Sequence, residues 1–182
     1  MSRPAGPRAR NRFTATVMLL WLAGCATNPA TGGRMLSLIS ESQEIEMGRS
    51  YAQQIDRTMP LLDDPDVTTY VERIGLSLAA TSERPDLPWT FKVVDDASVN
   101  AFALPGGFIY LTRGILTHFN SEAEMAAVVG HEIGHVTARH SVEQMSRQTL
   151  LGGLLGVGSI LSDEVRAVSG VGAAAIGIFG LS

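Results

Sequence analysis

His131-Glu132-Ile133-Gly134-His135 is the stretch on which the reading of this chain turns. On an α-helix, residues four apart lie one above the other on the same face, so both imidazoles can reach a single ion. Glu132 stands about 100° round the helix from His131, given 3.6 residues per turn. From there its carboxylate can take a proton from water at the ion without being a ligand itself, which is the placement a general base requires. The spacing predicts a hydrolytic zinc site with one Zn2+ per chain, His131 and His135 as metal ligands and Glu132 as the catalytic base.

The flanking residues supply the helix that this geometry needs. Ser121, with Glu124 three residues later, has the pattern of a capping box. Met125, Val128, Val129, Ile133 and Val136 recur at three- and four-residue steps and mark one buried face. A single helix is expected over residues 122 to about 147. Gly130 and Gly134 interrupt it at about 1 kcal/mol each relative to alanine, a loss best tolerated where another backbone or a substrate comes close. A helix carrying two histidines by accident is the competing reading, and the capped, amphipathic setting argues against it.

The ends of the chain read differently from its middle. Arg3, Arg8, Arg10 and Arg12 precede an apolar run over residues 13–22 that is short for a membrane span. Leu22-Ala23-Gly24-Cys25 follows and resembles the bacterial lipobox. Residues 1–24 are therefore expected to be a lipoprotein signal peptide, and residues 25–40 a lipid-anchored tether with Cys25 as the lipidation site. Cys25 is the only cysteine, so no disulfide can form within one molecule. Ala26 is not the aspartate associated with inner-membrane retention, and the expected location is the periplasm, anchored to the outer membrane. The chain carries a formal charge of −4, and Lys92 is its only lysine. That balance leaves no basic footprint for nucleic acid, which is excluded as a partner.

Between these ends the pattern is helix, helix, strands, helix. Residues 42–59 place Ile45, Gly48, Tyr51, Ile55 and Met59 along one side. Asp64-Pro65 is a helix start, with Val67, Tyr70, Val71, Ile74 and Leu78 as the next apolar stripe. Tyr51 and Tyr70 are read as core residues. Residues 89–94 and 100–104 read as strands, Pro105-Gly106-Gly107 as a turn, and residues 108–112 as a third strand. An α+β domain follows, with a small, mainly antiparallel sheet packed on the histidine helix. Phe108, Ile109, Tyr110 and Leu111 are the candidate substrate-binding residues, as an edge strand that would pair with an extended peptide. From Leu150 the chain turns apolar and glycine-rich in two runs, read as packed helices, with a membrane-dipping hairpin as the alternative.

Taken together, the stretches at residues 39–48, Asn100-Ala101-Phe102-Ala103-Leu104-Pro105-Gly106-Gly107, residues 108–114 and residues 131–140 resemble the HtpX and CAAX-prenyl-protease superfamily of gluzincin zinc metallopeptidases, in particular its periplasmic lipoprotein branch of BepA and LoiP type. The resemblance implies a zincin-like fold for residues 41–182. It also implies a third zinc ligand, a glutamate in a Glu-x-x-Ala-Asp motif on a later helix. That motif does not occur here. Glu164 is the nearest substitute, while His140 and Glu143, placed on a continuous helix, would point away or lie too far along the axis. The expectation is a C-terminally truncated metallopeptidase domain whose two histidines under-hold the ion, since a catalytic zinc site has three protein ligands.

The implied function is a zinc-dependent endopeptidase of the bacterial cell envelope acting in protein quality control, with unfolded or misfolded envelope proteins as substrates. The alternative is a catalytically deficient lipoprotein that binds such clients in a chaperone-like way.

Overall fold

The structure, a computed structural model, describes residues 25–154; the expected signal peptide, Glu164 and most of the glycine-rich run lie outside them. The elements are β1 (Cys25–Thr27), β2 (Arg34–Leu36), α1 (Glu41–Thr58), α2 (Pro65–Ala79), β3 (Thr90–Val94), β4 (Ala101–Leu104), β5 (Phe108–Thr112), the short α3 (Arg113–Leu116), α4 (Glu122–Thr137) and α5 (His140–Leu154). The class is α+β, as the sequence pattern predicts.

Local chemistry explains most boundaries. The Asp64 carboxylate accepts from the amides of Asp66 and Val67, both at 3.1 Å, with Pro65 in the first turn where its missing N–H costs nothing. Helix α1 starts one residue before the expected Ser42, because Ser40 and Gln43 form a full capping box. The Ser121 hydroxyl accepts from the amide of Glu124 at 3.3 Å, but the Glu124 carboxylate turns to the amide of Asn120 instead of closing the box.

The three-stranded sheet has the order β3-β5-β4, with β3 parallel and β4 antiparallel to β5. It is mixed where a mainly antiparallel sheet was expected. The reason lies in residues 95–100, which cross the end of β5 before the chain returns as β4. The Thr112 hydroxyl donates to the Ser98 carbonyl at 2.6 Å and accepts from the Asn100 amide at 3.1 Å, pinning that crossing.

This order corrects the reading of residues 108–112 as an edge strand. β5 lies in the middle, with both hydrogen-bonding edges occupied, and Phe108, Ile109, Tyr110 and Leu111 are all buried. Such a strand has no free backbone groups to offer a peptide, and its four side chains are core. Ile109 and Leu111 face a cluster with Val71 and Ile74 of α2 and Val129 and Ile133 of α4. Phe108 and Tyr110 face the other way, onto Ala52 and Ile55 of α1. The sheet is thus covered on both faces, α1 on one and α2 with α4 on the other, which is why β5 is buried at every position rather than alternating.

The Pro105-Gly106-Gly107 turn is where α1 comes closest to the sheet. A Cβ at Gly48 would lie 1.8 Å from the Pro105 carbonyl oxygen, and Gly106 has φ +78 with no room for a Cβ beside Ile45. Both positions require glycine.

Two further expectations change. Residues 25–40 are not a plain tether: β1 and β2 form an antiparallel hairpin, β2 packs on α5, and Asn28 and Met35 are buried. Tyr70 is not core; it lies exposed and donates to the Glu122 carboxylate at 2.7 Å. Tyr51 is partly buried against the α1 side of the sheet.

Candidate metal centre

Helix α4 presents its apolar side to the sheet through Met125, Val129, Ile133 and Val136, which leaves the next stripe round the helix to carry polar groups. His131 and His135 stand there one turn apart. Their Nε2 atoms lie 3.0 Å from each other, with the rings at 85°. Two imidazole nitrogens on one ion, each at about 2.0 to 2.1 Å with a tetrahedral angle, stand about 3.3 Å apart. The pair therefore fits a metal ion with little rearrangement. Among the described residues no group of three or more such side chains is placed to hold one ion together.

Glu132 is half-buried beside them, and burial pushes its carboxyl up to about 7. A carboxylate poised near neutrality is suited to taking up and releasing a proton. Burial first, then the neighbouring charges of His131 and His135's other partner His140, hold the His135 imidazole below its ordinary value. Both effects favour the neutral imidazole, the form in which it can ligate.

The expected continuous helix is broken beside this site. Helix α4 ends at Thr137, Arg139 adopts φ 56, and α5 starts at His140. On an unbroken helix His140 would lie about 140° round from His135. Instead its Nδ1 stands 2.8 Å from the Nδ1 of His135, which corrects the expectation that it points away.

Residues distant in sequence build the break. The Glu44 carboxylate, 1% exposed, accepts from Arg84 through both oxygens at 2.9 and 3.1 Å, from Arg139 Nε at 2.8 Å and from the Gly106 amide at 3.3 Å. Arg84 also donates to the Val136 carbonyl, which takes the Arg139 amide as well, and the Asn28 side-chain amide donates to the Ala138 carbonyl at the end of α4. Arg139 reaches back to the Ile39 carbonyl at 3.0 Å. These contacts offset the cost of a left-handed arginine, on the order of 1 kcal/mol.

Peptidase family M48 matches the chain over residues 65–179. The chain belongs to that family. It is 33% identical over 134 residues to the beta-barrel assembly-enhancing protease of Escherichia coli (strain K12), a stretch covering 74% of this chain and 28% of that protein. It is 35% identical over 130 residues to the protein of the same name in Yersinia pestis, covering 71% and 27%. To the mitochondrial metalloendopeptidase OMA1 of Arabidopsis thaliana it is 41% identical over 87 residues, covering 48% and 18%. The chain thus spans less than a third of these relatives.

Within this M48 chain His131, Glu132 and His135 stand together on one helix, as their spacing predicts, while the sequence reading missed what supports them. Glu44 had a visible signal: a carboxylate on the same face as Gly48 and Ile55, where burial demands a partner. Nothing comparable marked Arg139, because no glycine or proline announces the break. At the two helix glycines the expected close backbone is not found among the described residues. No protein atom among the described residues comes within 4 Å of a Cβ built at Gly130 or Gly134, so no backbone accounts for them. Gly130→Ala should raise the unfolding free energy by about 0.5 to 1 kcal/mol in denaturant titration. A loss of stability there would show that a segment of the chain packs over this face.

Proposed function

We propose that this chain carries the catalytic centre of a zinc-dependent endopeptidase of the bacterial cell envelope that acts in protein quality control. The observation supporting it most strongly is the pair of facing Nε2 atoms of His131 and His135 with Glu132 half-buried beside them. His131 and His135 would hold the zinc, with a third donor from outside residues 25–154, where Glu164 is the candidate substitute. Bound there, zinc would supply a Lewis acid that polarises the scissile carbonyl and acidifies water. Glu132 takes the proton of the attacking water and returns it to the leaving amine.

The peptide would lie along β4 rather than β5. Strand β4 is last in the sheet, and among the described residues no strand pairs with its outer edge. Ala103, Leu104 and Pro105 line the same narrow crevice, with room for about one water, as His135, Val136 and Arg139. Main-chain pairing to such an edge accepts many sequences, which suits unfolded clients. The names of the enterobacterial relatives point to beta-barrel assembly, and envelope proteins are the proposed substrates.

The test is cleavage of an unfolded protein, stopped by chelation and restored by zinc. Client binding that is indifferent to chelator, with no cleavage, would favour the chaperone-like alternative.

The anchor is a separate part of this proposal. Among the described residues no helix is long and apolar enough to cross a membrane, and Cys25 opens β1. Lipid attached at Cys25 would hold the hairpin and the catalytic domain at the outer membrane, facing the periplasm. Cys25→Ser should abolish incorporation of labelled palmitate and release the protein from the membrane fraction. Label persisting in that variant would refute the assignment.

A further inference from the structure

Three imidazoles stand in a row beside the cleft. His131 Nε2 lies 3.0 Å from His135 Nε2, and His135 Nδ1 lies 2.8 Å from His140 Nδ1. A neutral imidazole has one N–H and one lone pair, so His135 can donate in one direction only and accept in the other. Two arrangements satisfy both contacts. Either the protons point from His140 towards His131, or from His131 towards His140. Only the second leaves a lone pair on the Nε2 of His135; for the pair to hold an ion His131 must in turn carry its proton on Nδ1, which frees both Nε2 lone pairs while the His135 Nδ1–H still points at His140.

We infer that His140 is a positioning residue: its Nδ1 accepts the Nδ1–H of His135 and so fixes the tautomer and ring orientation that turn the His135 Nε2 lone pair towards the site. Histidine ligands ordinarily direct their second nitrogen to a carboxylate, a backbone carbonyl or water. Here an imidazole takes that part. It can do so because α4 stops at Thr137; the Arg139 turn, clamped by Glu44 and the Ile39 carbonyl, swings the start of α5 back over His135. His140 is exposed, so its Nε2–H can donate to solvent while its Nδ1 accepts, whereas half-buried His135 has its two nitrogens engaged by its neighbours.

The inference rests on the metal-site reading above, and the test separates the two. Zn2+ affinity is measured on the full chain by competition with a chromophoric chelator, for the parent, His140→Ala, His140→Asn and His131→Ala. Imidazole 15N shifts of the metal-free protein give the His135 tautomer. His140→Ala should weaken zinc binding by about ten- to a hundredfold. His140→Asn places an amide oxygen where Nδ1 stood and should restore affinity to within a few-fold of the parent. His135 should be protonated at Nδ1 in the parent and in His140→Asn, and shift towards the Nε2–H form in His140→Ala. Thermal unfolding of the metal-free variants should be unchanged, since His140 is exposed.

Parent-like zinc affinity in His140→Ala, failure of His140→Asn to rescue it, or an Nε2-protonated His135 in the parent would each overturn the inference. If His131→Ala itself binds zinc as tightly as the parent, the metal-site reading falls and the inference with it. If His131→Ala loses zinc while His140→Ala does not, the inference alone falls.

Discussion

Glu44→Ala should cost the domain about 3 to 5 kcal/mol of unfolding free energy, measured by denaturant titration of the metal-free protein. The Glu44 side chain is 1% exposed and that of Arg84 5%, so removing the carboxylate strands a buried guanidinium whose Nε already lacks a hydrogen-bond partner. Arg139, 11% exposed, loses its only ion-pair partner among the described residues while keeping a left-handed backbone. The Gly106 amide is orphaned as well. Against a typical total of about 5 to 15 kcal/mol, such a loss leaves little margin. Glu41, which also meets Arg84, cannot substitute: it is mostly exposed, and a solvated pair contributes about 1 kcal/mol at most. A cost for Glu44→Ala below about 1 kcal/mol would show that the network is solvated and does not brace the turn after α4.

Glu132→Gln should retain zinc and lose turnover by roughly a hundred- to ten-thousandfold, the span that a positioned general base contributes. The amide keeps the shape and hydrogen-bonding reach of the carboxylate but cannot accept a proton at neutral pH. Because Glu132 stands off the His131–His135 line, the donor set for the ion is unchanged. His131→Ala should lose both zinc and turnover. The contrast is informative because fold loss cannot produce it. A misfolded Glu132→Gln protein would forfeit metal too, and circular dichroism of the two variants would show it.

The α1, α2 and strand boundaries were readable because caps and periodicity are local: Asp64-Pro65, the glycines of the turn, and the three- and four-residue steps of α4 each act within a few residues. The centre of the motif was readable for the same reason. What sequence could not disclose was non-local. Whether residues 108–112 form an edge or the middle of the sheet depends on where residues 95–100 carry the chain, and Thr112 settles that through contacts to Ser98 and Asn100. The break at Arg139 depends on Glu44, 95 residues away, and on Asn28, whose side chain reaches Ala138 across 110 positions. Extrapolating α4 past Thr137 therefore misplaced His140, the residue that lies against His135.

The most direct test of the central claim is the zinc content of the purified full chain, determined by elemental analysis for the parent, His131→Ala, His135→Ala and Glu132→Gln at equal protein concentration and free Zn2+. The account predicts about one zinc per chain in the parent and in Glu132→Gln, and a marked loss in each histidine variant. Zinc retained by both histidine variants, or lost on Glu132→Gln, would contradict it, because either result would place the metal on other residues.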